Sequence, residues 1–89
     1  MLWQEILSAI YEFLINDKKE EGHFANSGAK NLFNFLKSKF NSEIYKIFFE
    51  NFEEEFFQKV PFIEDEPYER GRTEAIYFIS RSIECRTRD

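Results

Sequence analysis

Any catalysis by this chain would have to draw on one histidine, one cysteine and a crowded set of carboxylates. His23 sits beside Gly22 in a polar stretch with no partner residue nearby in sequence, so neither a base–nucleophile pair nor an orienting group is in view. Cys85 has Arg81, Arg86 and Arg88 as neighbours, which would favour a thiolate, but it lies near an end expected to fray. Glu53, Glu54 and Glu55 are consecutive and so point in different directions around a helix. The Glu-x-x-His pattern of a di-metal bundle is missing, and the three glycines are too scattered for a phosphate loop. The expectation is a protein that is not an enzyme and needs no cofactor and no metal.

What remains is surface chemistry. Glu50, Glu53, Glu54, Glu64, Asp65 and Glu66 form an acidic group interleaved with Phe49, Phe52, Phe56 and Phe57. Apolar area rimmed by charge is typical of a protein-binding site, including a homo-oligomer interface. A bundle core could equally absorb these rings, and both readings stand. Residues 26–41 carry Lys30, Lys37 and Lys39 with no acid, whereas 42–66 hold eight acids against Lys46 and Lys59. A net charge of -5 argues against direct binding to nucleic acid, which needs a basic surface.

The elements that must position these residues follow from the spacing of apolar positions. Trp3, Leu7, Ile10 and Leu14, widened by Ile6 and Phe13, predict a helix over 2–16. The charged run after it, with Gly22, reads as a solvated connection. Asn26 or Ser27 would cap a second helix over 27–40, with Ala29, Leu32, Phe33, Leu36 and Phe40 inward and Lys30, Asn34, Lys37 and Asn41 outward. Ser42 would cap a third over 42–60, with Ile44, Ile47, Phe48, Phe52 and Phe56 on one stripe and Tyr45, Phe49 and Phe57 beside it. Pro61 ends it. The fourth, over 67–84, opens on Pro67 behind Asp65 and Glu66 and turns Tyr68, Ala75, Ile76, Ile79 and Ile83 inward.

The predicted fold is therefore all-α, a compact bundle of about four helices forming a single domain over 1–89. With 89 residues there is room for one modest core, and twelve phenylalanines imply that rings fill it. No apolar run is long enough to span a bilayer, and the basic start and cleavage site of a signal peptide are missing, so no membrane association is expected. One cysteine cannot form an internal disulfide, which fits the cytoplasm.

Gly71 is anomalous inside the fourth helix, where glycine is about 1 kcal/mol worse than alanine. With Ala75 one turn on, it makes a small-small step on the inward side that would let another backbone approach closely, with room for a bulky ring from the second or third helix to lie across it. The alternative is a notch for a partner's side chain. Arg72 borders the same stripe, and its guanidinium is expected to reach the acidic loop around Glu64, Asp65 and Glu66. Arg70 and Arg81 project outward with Glu74 and Tyr77.

The segment FANSGAKNLFNFL, with Phe24, Gly28, Leu32 and Leu36, followed by YERGRTEAIYFI, with Tyr68, Gly71, Arg72, Ile76 and Ile79, resembles a family of small tailed-phage proteins. In that family a Phe-x-x-x-Gly segment and Leu-rich helix precede a Gly-Arg-Arg segment and an aliphatic helix. Here Thr73 stands where a second arginine is usual, and the acidic, phenylalanine-rich stretch 43–60 replaces a shorter connection. The resemblance implies a phage-encoded helical protein from among the head, portal and packaging genes, located in the host cytoplasm or on the virion. Its expected role is that of a structural or packaging-accessory adaptor that binds a protein partner or further copies of itself, with no small-molecule substrate. A second expectation is an acidic anti-defence inhibitor whose carboxylates mimic DNA phosphates before a host nucleic-acid-binding protein.

Overall fold

A computed structural model describes residues 3–17, 24–60 and 66–87. These form four helices: α1 (Trp3–Asn16), α2 (Ala25–Lys39), α3 (Glu43–Lys59) and α4 (Tyr68–Thr87). The protein is an all-α bundle, and among the described residues the nearest thing to a strand is one isolated antiparallel bridge between Phe24 and Pro67.

α2 is the hub. Going down α2, Phe40 meets Tyr45 and Phe49 (ring centroids 5.7 and 5.5 Å), Lys37 reaches Glu53 (2.9 Å) and Phe33 meets Phe56 (5.8 Å), so α3 runs antiparallel to it. α1 is antiparallel on its other side, since Glu12 pairs with Lys39, Phe13 packs on Phe35 (5.4 Å) and Asp17 lies towards the start of α2. α4 starts beside α2 and forms with it the most extensive helix pair in the molecule.

The start of α2 differs from the expected one. Phe24, not Asn26 or Ser27, takes the cap position in an extended conformation (φ -101°, ψ 171°), and no side chain caps the helix. Two of its orphan amides are served by backbone: Ala25 N–H donates to the Glu66 carbonyl (3.0 Å) and Ser27 N–H to the Phe24 carbonyl (3.0 Å), while Gly28 N–H makes the first ordinary helical bond, also to Phe24 (3.2 Å). Tertiary pairing with the residues before α4 thus replaces a local cap and moves the start to Ala25. At the other end of the chain α4 continues to Thr87, past the expected stop near residue 84, because no glycine or proline interrupts it.

The core is aromatic. Phe33, Phe49, Phe52 and Phe56 are buried with Ile6, Leu32, Leu36 and Ile79. Phe78 joins them from α4, edge-on to Phe52 and Phe56 at 6.2 and 6.0 Å. Edge-to-face pairs of this kind contribute about 0.5–1.5 kcal/mol each beyond the area they bury. The inward stripe of α3 is accordingly Phe49, Phe52 and Phe56, and the expected stripe is corrected at its N-terminal end: Ile44 and Ile47 are exposed. The larger rings win the inward face because each removes more apolar area from water. In α1 the buried line is Ile6, Ala9, Ile10 and Phe13, with Leu14 turned outward.

α2 and α4 touch through backbone. A Cβ built on Gly71 would collide with the carbonyl group of Ala25, and one built on Gly28 would collide with the carbonyl oxygen of Tyr68 and come within 3.3 Å of the Arg72 nitrogen. Ala25, Ala29 and Ala75 around this crossing are fully buried. The element lying across Gly71 is the main chain of α2 rather than a ring, which is why a side chain is excluded on both helices.

Candidate protein-binding surfaces

A polar cluster ties three helices together beside the glycine crossing. Arg72 Nη1 donates to Asp17 Oδ2 at 2.7 Å, with side chains only 12 % and 10 % exposed. The Tyr68 hydroxyl donates to Asp17 Oδ1 (3.3 Å) and accepts from Asn31 Nδ2 (2.7 Å). The guanidinium carbon lies 6.0 Å from the Tyr68 ring centroid. Burial raises the Tyr68 pKa above 10.0, the Asn31 hydrogen bond opposes this, and the Asp17 carboxylate adds to the rise.

Among the described residues the partner of Arg72 is Asp17 at the end of α1. Glu66 is instead 3.9 Å from Arg70, as is Glu74, while Glu64 and Asp65 lie outside the described residues, as does His23. In sequence Asp17 carries no sign of this role, because the charged connection that it opens reads as solvated. The cluster's chemistry is that of a clamp: it fixes α1 and α4 on α2 and leaves Tyr68 protonated.

The acidic aromatic segment is divided by α3. Phe49, Phe52 and Phe56 are core, and Phe57 is half-buried against Phe33 and Phe56 with the Lys30 ammonium 5.9 Å from its ring centroid. Glu50 and Glu54 are exposed. Glu53 is turned towards α2, where Lys37 (2.9 Å) and Lys30 (3.7 Å) flank its 16 % exposed side chain. Lys37 is thereby half-buried and not on a free basic face. Gly28, Gly71 and Ala75 belong to the helix crossing, and Arg72 to the clamp.

Two of the surfaces that the core does not use adjoin α3. Over the N-terminal half of α3, Ile44 (80 % exposed) and Ile47 (55 %) border a shallow depression of about 430 Å³ with Tyr45 and Phe48. Between α3 and α4 runs a groove of about 530 Å³, floored by Val60 and Phe78 and edged by Glu55 and Lys59 on one side and by Glu74, Tyr77 and Arg81 on the other. Arg81 lies over the Tyr77 ring (5.6 Å) and donates to its hydroxyl (3.0 Å). A wide apolar arc was the sequence signal for the first surface, whereas the second depends on how two helices meet.

Among the described residues, no three His, Cys, Asp or Glu side chains are grouped so as to hold a metal ion, and no helix is long and apolar enough to cross a membrane. No family model, curated protein or solved structure matches this chain.

Proposed function

We propose that this chain is a non-catalytic helical protein-binding module with a structural or packaging-accessory role in a tailed phage, acting in the host cell. The observation that carries the binding part is the exposure of Ile44 and Ile47 on a helix whose opposite face is fully packed. Two β-branched aliphatics beside partly buried rings gain free energy only when a partner covers them. The phage part rests on the resemblance around Phe24, Gly28, Gly71 and Arg72. The DNA-mimic alternative draws less support, because Glu53 is neutralised by two lysines of α2 and no longer belongs to an uninterrupted row of free carboxylates.

The test is light-scattering mass at low and high salt, together with retention of purified virion proteins on a column carrying the chain. Association that persists in high salt and weakens in Ile47→Asp is the expected result. A strict monomer that retains no virion protein would overturn the reading.

A further inference from the structure

Resting on the protein-binding reading, we propose that the α3–α4 groove receives a second copy of this chain, the two α4 helices lying antiparallel about a two-fold axis between Tyr77 and Phe78. The groove has an apolar floor and carries charge of both signs, although the chain as a whole has a net charge of -5. A strongly basic partner would meet Arg81 and Lys59, and a strongly acidic one would meet Glu74 and Glu55. Balanced charge around an apolar floor favours a partner with the same mixed pattern.

The register of α4 supplies that partner. Glu74 and Arg81 are about two turns apart and therefore share a face, and the Tyr77–Phe78 pair lies midway between them. When two α4 helices cross antiparallel at this midpoint, Glu74 of each copy stands opposite Arg81 of the other. A parallel pairing would instead set glutamate against glutamate and arginine against arginine. The isologous contact is self-complementary, as a two-fold interface must be.

The side chains are also poised for it. Tyr77 is 59 % exposed, and the second copy's Tyr77 would then lie over Phe78 and Val60 in the groove. Arg81 is held in place by the Tyr77 ring and hydroxyl through one of its five N–H groups, which leaves others to reach a carboxylate. An aromatic centre flanked by exchanged ion pairs is the usual anatomy of a small specific interface.

Sedimentation velocity over a concentration series tests this with four proteins: wild type, Glu74→Arg, Arg81→Glu and the double reversal. Both substituted positions reach the surface, Arg81 exposed and Glu74 partly so, and the changes should leave the helical circular dichroism unaltered. The wild type is expected to dimerise, each single reversal to weaken the dimer at least about tenfold through like-charge contact, and the double reversal to restore it. A wild-type dimer indifferent to all three variants overturns the α4 axis. If Ile47→Asp dissociates that dimer, the protein-binding reading survives on the other surface. A monomeric wild type that retains a virion protein likewise removes the second copy and keeps that reading, whereas a monomer that retains none removes both.

Discussion

Gly71 of α4 lies against the carbonyl of Ala25 in α2 so closely that a methyl group has no place between them, and Gly28 stands in the same relation to the Tyr68 carbonyl. Each obstacle is backbone at the start of a helix, held by the Ala25–Glu66 hydrogen bond and the Phe24–Pro67 bridge, so it cannot rotate away. Alanine at either site would gain about 1 kcal/mol in helix propensity. Forcing the helices apart would cost about 3 kcal/mol, the upper end for overpacking, because the obstacle is backbone and the strain spreads over the α2–α4 interface.

Gly71→Ala and Gly28→Ala are therefore both expected to be less stable than wild type in urea denaturation, with a net loss of about 2 kcal/mol. For a chain of this size that lowers the melting temperature by roughly 8–16 °C. A Gly71→Ala protein as stable as wild type would mean that the helices separate freely and that the glycine is there for another reason.

The Asp17–Arg72 pair should respond to asymmetry. Arg72→Met strands a carboxylate that is 10 % exposed and, among the described residues, keeps the Tyr68 hydroxyl as its side-chain partner, and a loss of about 3 kcal/mol is expected. Removing both charges in Asp17→Leu, Arg72→Met should be milder than Arg72→Met alone, because no charge is left buried. Equal losses in the two proteins, read from denaturation midpoints, would show that water reaches Asp17 and that the clamp is weak.

How far sequence could reach is visible in these same residues. Helix number, order and type follow from periodicity, and Gly71 was conspicuous because glycine has no reason to sit in a helix that another backbone does not approach. Its counterpart Gly28 gave no such warning on its own, being near a helix start. Long-range pairing was beyond reach: Asp17 stands fifty-five positions from Arg72 and looks like one more charge in a polar connection. Glu53 looked identical to Glu54 and Glu55, and only the antiparallel placement of α3 on α2 singles it out for Lys37. The rings of α3 were the ambiguous case, since their apolar arc covers more than one face and only packing against Phe33 and Phe78 decides which side is inward.

Tyr68 gives a pH signature. Its pKa is raised in the folded protein, chiefly by burial, so the folded state holds the phenolic proton more tightly than the unfolded chain does. That contribution is fully present below the unfolded value of 10.0 and is lost as pH rises from there through the folded value. Wild type should lose stability above pH 10 more steeply than Tyr68→Phe, the comparison cancelling whatever the two proteins share. Parallel pH–stability curves for the two proteins would mean that the hydroxyl is open to solvent.

The two faces of α3 should part company on substitution. Phe52 is 2 % exposed and touches Phe48, Phe49 and Phe78, so Phe52→Ala is expected to cost about 3–5 kcal/mol from the cavity it leaves. Ile47, on the same helix, has no comparable packing to lose, and Ile47→Asp should change folding stability by less than about 0.5 kcal/mol while disrupting any association through that face. The stability measurement decides which residues belong to the core, and the mass measurement decides what the exposed isoleucines are for. A large stability loss in Ile47→Asp would return that side chain to the interior and remove the surface that the binding role requires.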